Sequence, residues 1–141
     1  MNDEFMDSLI EQNPDAMIFA DTEGTIRVWN VAAERVFGFT KEEAIGSNLD
    51  IIVPQNLRKA HWRGYEQAMQ RGETKYVGKS LPTKSLHADG SVIYVELSFS
   101  IILDSAKNVI GALSSARDIT TRYKEERENR KRLSQLENPQ R

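Results

Sequence analysis

Ala16-Met17-Ile18-Phe19-Ala20-Asp21-Thr22-Glu23-Gly24-Thr25-Ile26-Arg27-Val28-Trp29-Asn30-Val31-Ala32-Ala33-Glu34-Arg35-Val36-Phe37-Gly38 is the stretch that decides the fold. Two short apolar runs, Ala16 to Ala20 and Thr25 to Trp29, flank Asp21-Thr22-Glu23-Gly24. That pattern predicts a β-hairpin in which glycine takes the left-handed turn position. Asn30 follows at the place of a helix cap, and a helix through Phe37 is expected to close at Gly38.

Upstream, Asn2-Asp3-Glu4 opens a short amphipathic helix with Phe5, Met6 and Leu9 on its apolar face. Asn13-Pro14-Asp15 stops it, since proline disfavours helical geometry in the residue before it. Downstream, Thr40-Lys41-Glu42-Glu43 has the capping-box pattern of a helix that ends at Gly46. After Ile51 to Val53 and Pro54, a longer helix runs to about Gly72. From Thr74 the period changes to two, and Lys75 to Leu86, Val92 to Leu103 and Val109 to Ala116 read as strands. Asp89-Gly90 and the segment from Asp104 to Asn108 supply the turns. In the middle strand Ile93, Val95, Leu97 and Phe99 share one face, and Val92, Tyr94 and Glu96 the other. Two strands, a run of short helices and three strands predict an α+β domain with an antiparallel sheet covered on one face.

A chain of 141 residues suits one such domain. The net charge of −2 offers no electrostatic footprint for nucleic acid. No apolar run is long enough for a membrane span, and the N-terminus does not resemble a signal peptide. A cytoplasmic location is expected. The absence of cysteine excludes disulfides, thiolate metal sites and cysteine nucleophiles. No kinase, cyclase or phosphodiesterase motif is present, so no enzymatic activity is expected. The chain is expected to act by binding a partner or as a fragment of a longer transducer.

In the longer helix, Leu57, His61, Gly64, Tyr65 and Ala68 fall at i, i+4, i+7, i+8 and i+11, which aims the imidazole inward. A neutral imidazole facing an apolar pocket is either a hydrogen-bonded core group or a metal ligand. Trp62 lies one step off the stripe, at a pocket rim or a dimer contact. Trp29 and Phe37 are expected in the core. His87 precedes a turn and is expected to be solvated, and nothing completes a two-histidine zinc site.

Several motifs in order resemble a known family. Asp21-x-x-Gly24, Trp29-Asn30-x-Ala32-Ala33, Phe37-Gly38-Phe39 and Glu42-Glu43-x-Ile45-Gly46 are similar to the first half of a PAS domain. Asp89-Gly90 and Arg117-Asp118-Ile119-Thr120 are similar to its second half and its exit into a signalling helix. The resemblance covers roughly residues 5 to 120. It implies a five-stranded antiparallel sheet with helices on one face cupping a pocket, and a role in sensing or protein contact. Members that trap flavin or a cinnamoyl group through a pocket cysteine are excluded.

The stretch Val53-Pro54, Leu57-Arg58, His61 and Tyr65 resembles the haem-binding PAS domains of rhizobial oxygen-sensor kinases and of an enteric direct oxygen sensor. That resemblance implies haem b, with His61 as the iron ligand. Tyr65, Tyr76, Leu81, Leu97 and Phe99 complete the expected cofactor pocket. Arg58, Lys59, Arg63 and Lys79 are candidate partners for the propionates. Two departures matter. Leu81 stands where oxygen-binding members carry an arginine, and Lys79 where the enteric sensor carries a methionine ligand. Carbon monoxide, nitric oxide or redox sensing is therefore expected as readily as oxygen sensing. Two alternatives are a cofactor-free PAS module that dimerises through its first helix and outer sheet face, and a cysteine-less redox domain holding FAD near Trp29 or Asn30.

The tail is rich in helix formers. Ile119, Tyr123, Glu126, Arg130 and Leu133 space a heptad seam with polar residues at core places, suited to a weak coiled coil. The alternative is a solvated charged helix, and Asn138-Pro139 ends it either way. The expected division is an N-terminal cap helix over residues 1–13, a sensory domain over 14–120 and a C-terminal signalling helix or coiled-coil linker over 121–141. The expected partners are a second copy of the chain and a downstream transducer such as a histidine kinase or a cyclic-dinucleotide enzyme.

Overall fold

The computed structural model describes residues 2–74 and 78–137. Strands β1 (Ala16–Asp21) and β2 (Ile26–Trp29) form the predicted hairpin, with Ile18 opposite Trp29 and Phe19 opposite Val28. The Asp21 carboxylate holds the turn by accepting from the backbone N–H of Glu23 at 3.0 Å and of Thr25 at 3.1 Å. Gly24 takes a φ of +83°, a conformation costly for residues with a Cβ.

Asn30 then caps helix α2 (Val31–Phe37) and does more than end a strand. Its Oδ1 accepts from the N–H of Ala33 at 3.0 Å and of Met17 at 2.9 Å. Its Nδ2 donates to the carbonyls of Ile10 at 2.8 Å and Asp15 at 3.1 Å. This fully buried amide therefore ties β1, α2 and the end of helix α1 (Asp3–Glu11) together. Gly38 closes α2 in the left-handed region, as its position predicted.

Helix α3 (Lys41–Ala44) carries the reciprocal Thr40–Glu43 capping box. Two 3-10 turns, Leu49–Ile52 and Gln55–Leu57, lead into helix α4 (Arg58–Arg71). The chain then returns through β3 (Leu81–Leu86), β4 (Val92–Leu103) and β5 (Val109–Asp118). The five strands form one antiparallel sheet in the order β2-β1-β5-β4-β3. The first and last strands in sequence thus lie side by side at its centre, with Ala16 opposite Ala116.

One face of the sheet carries the core. Ile18, Trp29, Ile93 and Val95 are buried there beside Phe37 of α2, and the Trp29 and Phe37 rings are 5.5 Å apart. The alternation along β4 holds, with Ile93 and Val95 buried and Val92 exposed, although Tyr94 on the other face is also buried.

Three expectations change. The third strand begins at Leu81, not near Lys75. Gly78 has a φ of +73°, and residues 75–77 lie outside the described set. Leu57 belongs to the 3-10 turn and is exposed, and Gly64 is exposed as well, so the inward stripe of α4 narrows to His61, Tyr65 and Ala68. Helix α5 (Thr120–Glu137) keeps only the start of its heptad seam against the domain. Ile119 is buried, Tyr123 is half-buried, and Leu133 and Leu136 are exposed. Asn138-Pro139 lies outside the described residues.

Candidate functional site

None of the residues of α4 is fully buried, so named ties hold the helix in place. Arg58 donates from Nε to the Val53 carbonyl at 3.0 Å and from Nη2 to the Asp50 carbonyl at 3.2 Å. Trp62 donates from Nε1 to Asp50 Oδ1 at 2.7 Å, and its ring lies on Gly24, where an added Cβ would come within 2.2 Å of it. Tyr65 donates its hydroxyl to the β1 carbonyls of Ala20 and Asp21, at 3.2 Å and 2.5 Å. Burial, together with the Asp21 charge, pushes the Tyr65 phenol up to about 12.

Between α4 and the sheet lies a cavity of about 420 Å³, within the size range of small-molecule sites. Phe99 and Ile101 of β4 and Ala112 of β5 form its apolar wall on the sheet side. His61, Tyr65, Ala68 and Met69 line it from the helix, and the exposed Arg63, Gly64, Gln67 and Arg71 form its mouth.

His61 is the unusual member. Its Nδ1 is buried without a hydrogen-bond partner, and neither ring nitrogen bonds to any described residue. Leaving a buried acceptor or donor unpaired costs about 1–3 kcal/mol. The ring meets Trp62 edge-on with centroids 4.7 Å apart and lies 5.8 Å from the Tyr65 ring. Burial lowers the imidazole pKa from its ordinary value, and the nearby Asp50 carboxylate only partly opposes that. The histidine therefore presents a neutral ring, the form that donates a lone pair to a metal. A neutral imidazole beside an apolar wall has the donor chemistry of a haem-iron ligand.

Of the residues expected around a cofactor, His61, Tyr65 and Phe99 line the cavity. Leu97 packs against the buried core, and Leu81, half-buried on the edge strand, is its register partner; neither is among the lining residues. Tyr76 lies outside the described residues. Among the expected cations, Arg63 reaches the mouth, Arg58 is turned back onto backbone carbonyls, and Lys59 and Lys79 are exposed away from the lining. Trp29 and Asn30 do not fit the flavin alternative. Trp29 Nε1 donates to the Phe39 carbonyl at 3.0 Å, and the Asn30 amide is fully engaged in the core. His87 is half-buried over Gly38 instead of solvated, and its Nδ1 accepts from the Asp89 N–H at 3.1 Å. Among the described residues no cluster of acidic groups and histidines could hold a metal ion.

Sequence periodicity missed Asp50, Ile101, Arg71 and Ala112. Asp50 lies twelve residues before the tryptophan it binds, so no local spacing could pair them. Ile101 continues the alternation of Leu97 and Phe99, a signal that was present in the strand.

The family model for the PAS fold matches residues 4–119. The oxygen sensor protein DosP of Escherichia coli (strain K12) is 27% identical over 121 residues, which cover 86% of this chain and 15% of that protein. The sensor protein FixL of Bradyrhizobium diazoefficiens is 32% identical over 91 residues, 64% of this chain and 18% of that protein. The chain thus spans less than a fifth of either sensor. A crystal structure of a PAS domain from Colwellia psychrerythraea superposes with a TM-score of 0.72 at 24% identity, covering 84% of this chain and 97% of that one. Among the described residues no helix is long and apolar enough to cross a membrane.

Proposed function

We propose, on the premise that this chain belongs to the PAS fold family, that it holds haem b through His61 to sense a diatomic gas or a redox state. The chain is a sensory domain related to DosP and FixL. The haem assignment rests on one observation above others: an imidazole in the lining of an apolar cavity with no hydrogen bond to a described residue on its ring nitrogens.

When bound, haem would supply an iron able to take up a diatomic ligand or exchange an electron. His61 offers a neutral nitrogen, kept unprotonated by burial. Phe99, Ile101 and Ala112 exclude water from the sheet side. Arg63 and Arg71 are the cations at the mouth available to the propionates. Phe99, Ile101 and Ala112 present no polar side chain on the sheet side of the cavity, which favours carbon monoxide, nitric oxide or redox sensing alongside oxygen. Residues 14–120 act as the sensory unit, 1–13 as its cap and 121–141 as the output helix, working as a homodimer on a transducer such as a histidine kinase or a cyclic-dinucleotide enzyme. Output passes through β4, whose Phe99 lines the cavity while Tyr94, on the opposite face, stacks on Tyr123 of α5.

The test is an absorption spectrum of the purified chain before and after haem titration. A Soret band that is lost or strongly shifted in His61→Ala is expected. A visible region that shows only free haem at saturation overturns the assignment. A second function, as a cofactor-free dimerising module, is favoured by the apolar face of α1, where Phe5, Met6 and Leu9 are 48%, 44% and 52% exposed. Concentration-dependent sedimentation of the parent and of Phe5→Ser/Leu9→Ser separates the two.

A further inference from the structure

Trp62 touches His61 from the neighbouring position on α4, and three contacts fix its own ring. The Nε1–H donates to Asp50 Oδ1 at 2.7 Å. The six-membered ring lies against Gly24 so closely that an added Cβ would meet Cη2 at 2.2 Å. Tyr65 meets it edge-on with centroids 5.4 Å apart, and the Tyr65 hydroxyl is itself anchored on β1. An indole held at its nitrogen, at its far edge and on one side has little freedom to change rotamer.

His61 has none of these restraints. No hydrogen bond to a described residue orients its ring, whereas a metal-binding histidine ordinarily gets its orientation from a partner on the second nitrogen. The groups that fix the plane of the imidazole are therefore the rings beside it. Trp62 is the nearer, perpendicular at 78° and 4.7 Å, and Tyr65 lies farther off at 5.8 Å.

We propose that Trp62, clamped between Asp50 and Gly24, is the positioning residue that sets the plane of the His61 ring in the cavity wall. Packing against a locked indole takes the place of the usual hydrogen bond. Asp50 acts through Trp62, since its carboxylate accepts the indole N–H and its carbonyl accepts from Arg58, fixing the loop on which the clamp stands. The inference rests on His61 being the ligand-facing group of this cavity.

The decisive measurement needs no cofactor. In the haem-free protein, NMR of the histidine ring protons should give one sharp His61 set, shifted by the indole ring current, with cross-relaxation to Trp62. Trp62→Leu and Asp50→Ala should each broaden or split that set, and in Asp50→Ala the cross-peaks to Trp62 should be lost. Asp50→Asn keeps an oxygen acceptor for the indole and should restore the parent pattern. Trp62→Leu with the His61 pattern unchanged, or Asp50→Asn behaving as Asp50→Ala, overturns the proposal. In haem-loaded ferric protein with cyanide added, the low-spin electron paramagnetic signature, which is sensitive to the plane of the histidine ring, should spread in Asp50→Ala and remain narrow in Asp50→Asn. If the parent takes up no haem, the iron assignment fails, and the NMR measurement still decides the role of Trp62.

Discussion

Tyr94 of β4 and Tyr123 of α5 stack with ring centroids 4.2 Å apart and planes within 17°. Thr120 accepts from the Tyr94 N–H at 3.0 Å, and Arg122 reaches Glu96 at 3.4 Å, so the first turn of α5 is fastened to one strand. Aromatic pairs of this kind contribute about 0.5–1.5 kcal/mol beyond the area they bury. Tyr123→Ala should destabilise the domain by about 1–2 kcal/mol in urea. Amide exchange should rise in the first turns of α5 and leave β1 unchanged. Exchange unchanged at the start of α5 would show that the stack does not hold the helix.

Replacing Asn30 by alanine should cost at least about 3 kcal/mol. The loss combines a helix cap, typically about 1 kcal/mol, with two N–H groups and two carbonyls left without their amide partner. Asn30→Asp keeps the acceptor and loses the donors, so its urea midpoint should fall between alanine and the parent.

The His61 imidazole has its pKa lowered on folding, chiefly by burial and despite Asp50. The unfolded chain therefore binds more protons than the folded one as pH falls below the ordinary histidine value of about 6.5. Stability from this group is fully present above that value and declines with acidification toward the lower folded pKa. Urea midpoints of the haem-free parent should decline more steeply as the pH falls below about 6.5 than those of His61→Leu. Parallel curves would refute the burial of a neutral ring.

Tyr65 behaves in the opposite pH range. Its phenol is raised to about 12, so the unfolded chain loses its proton first, near 10. Stability present below about pH 10 should fall as pH rises toward 12, and Tyr65→Phe should remove that slope while costing about 1 kcal/mol at neutral pH through the lost hydroxyl bond.

Gly24→Ala should destabilise by about 2 kcal/mol or more, because a positive φ and the Trp62 ring both exclude a methyl group. In a Trp62→Ala background the same change should cost only the backbone part, about 1 kcal/mol. Equal costs in both backgrounds would mean the ring moves aside freely.

The hairpin, both asparagine and threonine caps and the sheet faces were legible because each depends on residues within a few positions of one another. The caps at Asn30 and Thr40 needed only the next three residues. What escaped depends on distant partners. Periodicity placed Leu57 and Gly64 inward, but the helix begins only at Arg58 and leaves Gly64 at the cavity mouth. Arg58 is a candidate partner for an anionic ligand by sequence, yet it is bound to carbonyls of the preceding loop. The tail carried a heptad spacing whose first residues, Ile119 and Tyr123, are used within the domain itself. Spacing placed His61 on the inward stripe, whereas the missing hydrogen bond on its Nδ1 could be seen only in three dimensions.

The central pairing of β1 with β5 sets where the chain enters and leaves. Ala16 faces Ala116, and Asp15 binds Arg117 through two contacts at 3.0 Å and 3.3 Å. Neighbouring strands lie about 4.8 Å apart, so α1 and α5 depart from one corner of the domain. The chain therefore enters and leaves the domain at neighbouring strand ends, held together by the Asp15–Arg117 pair. A linker of a few residues could replace the whole domain without forcing the flanking helices apart.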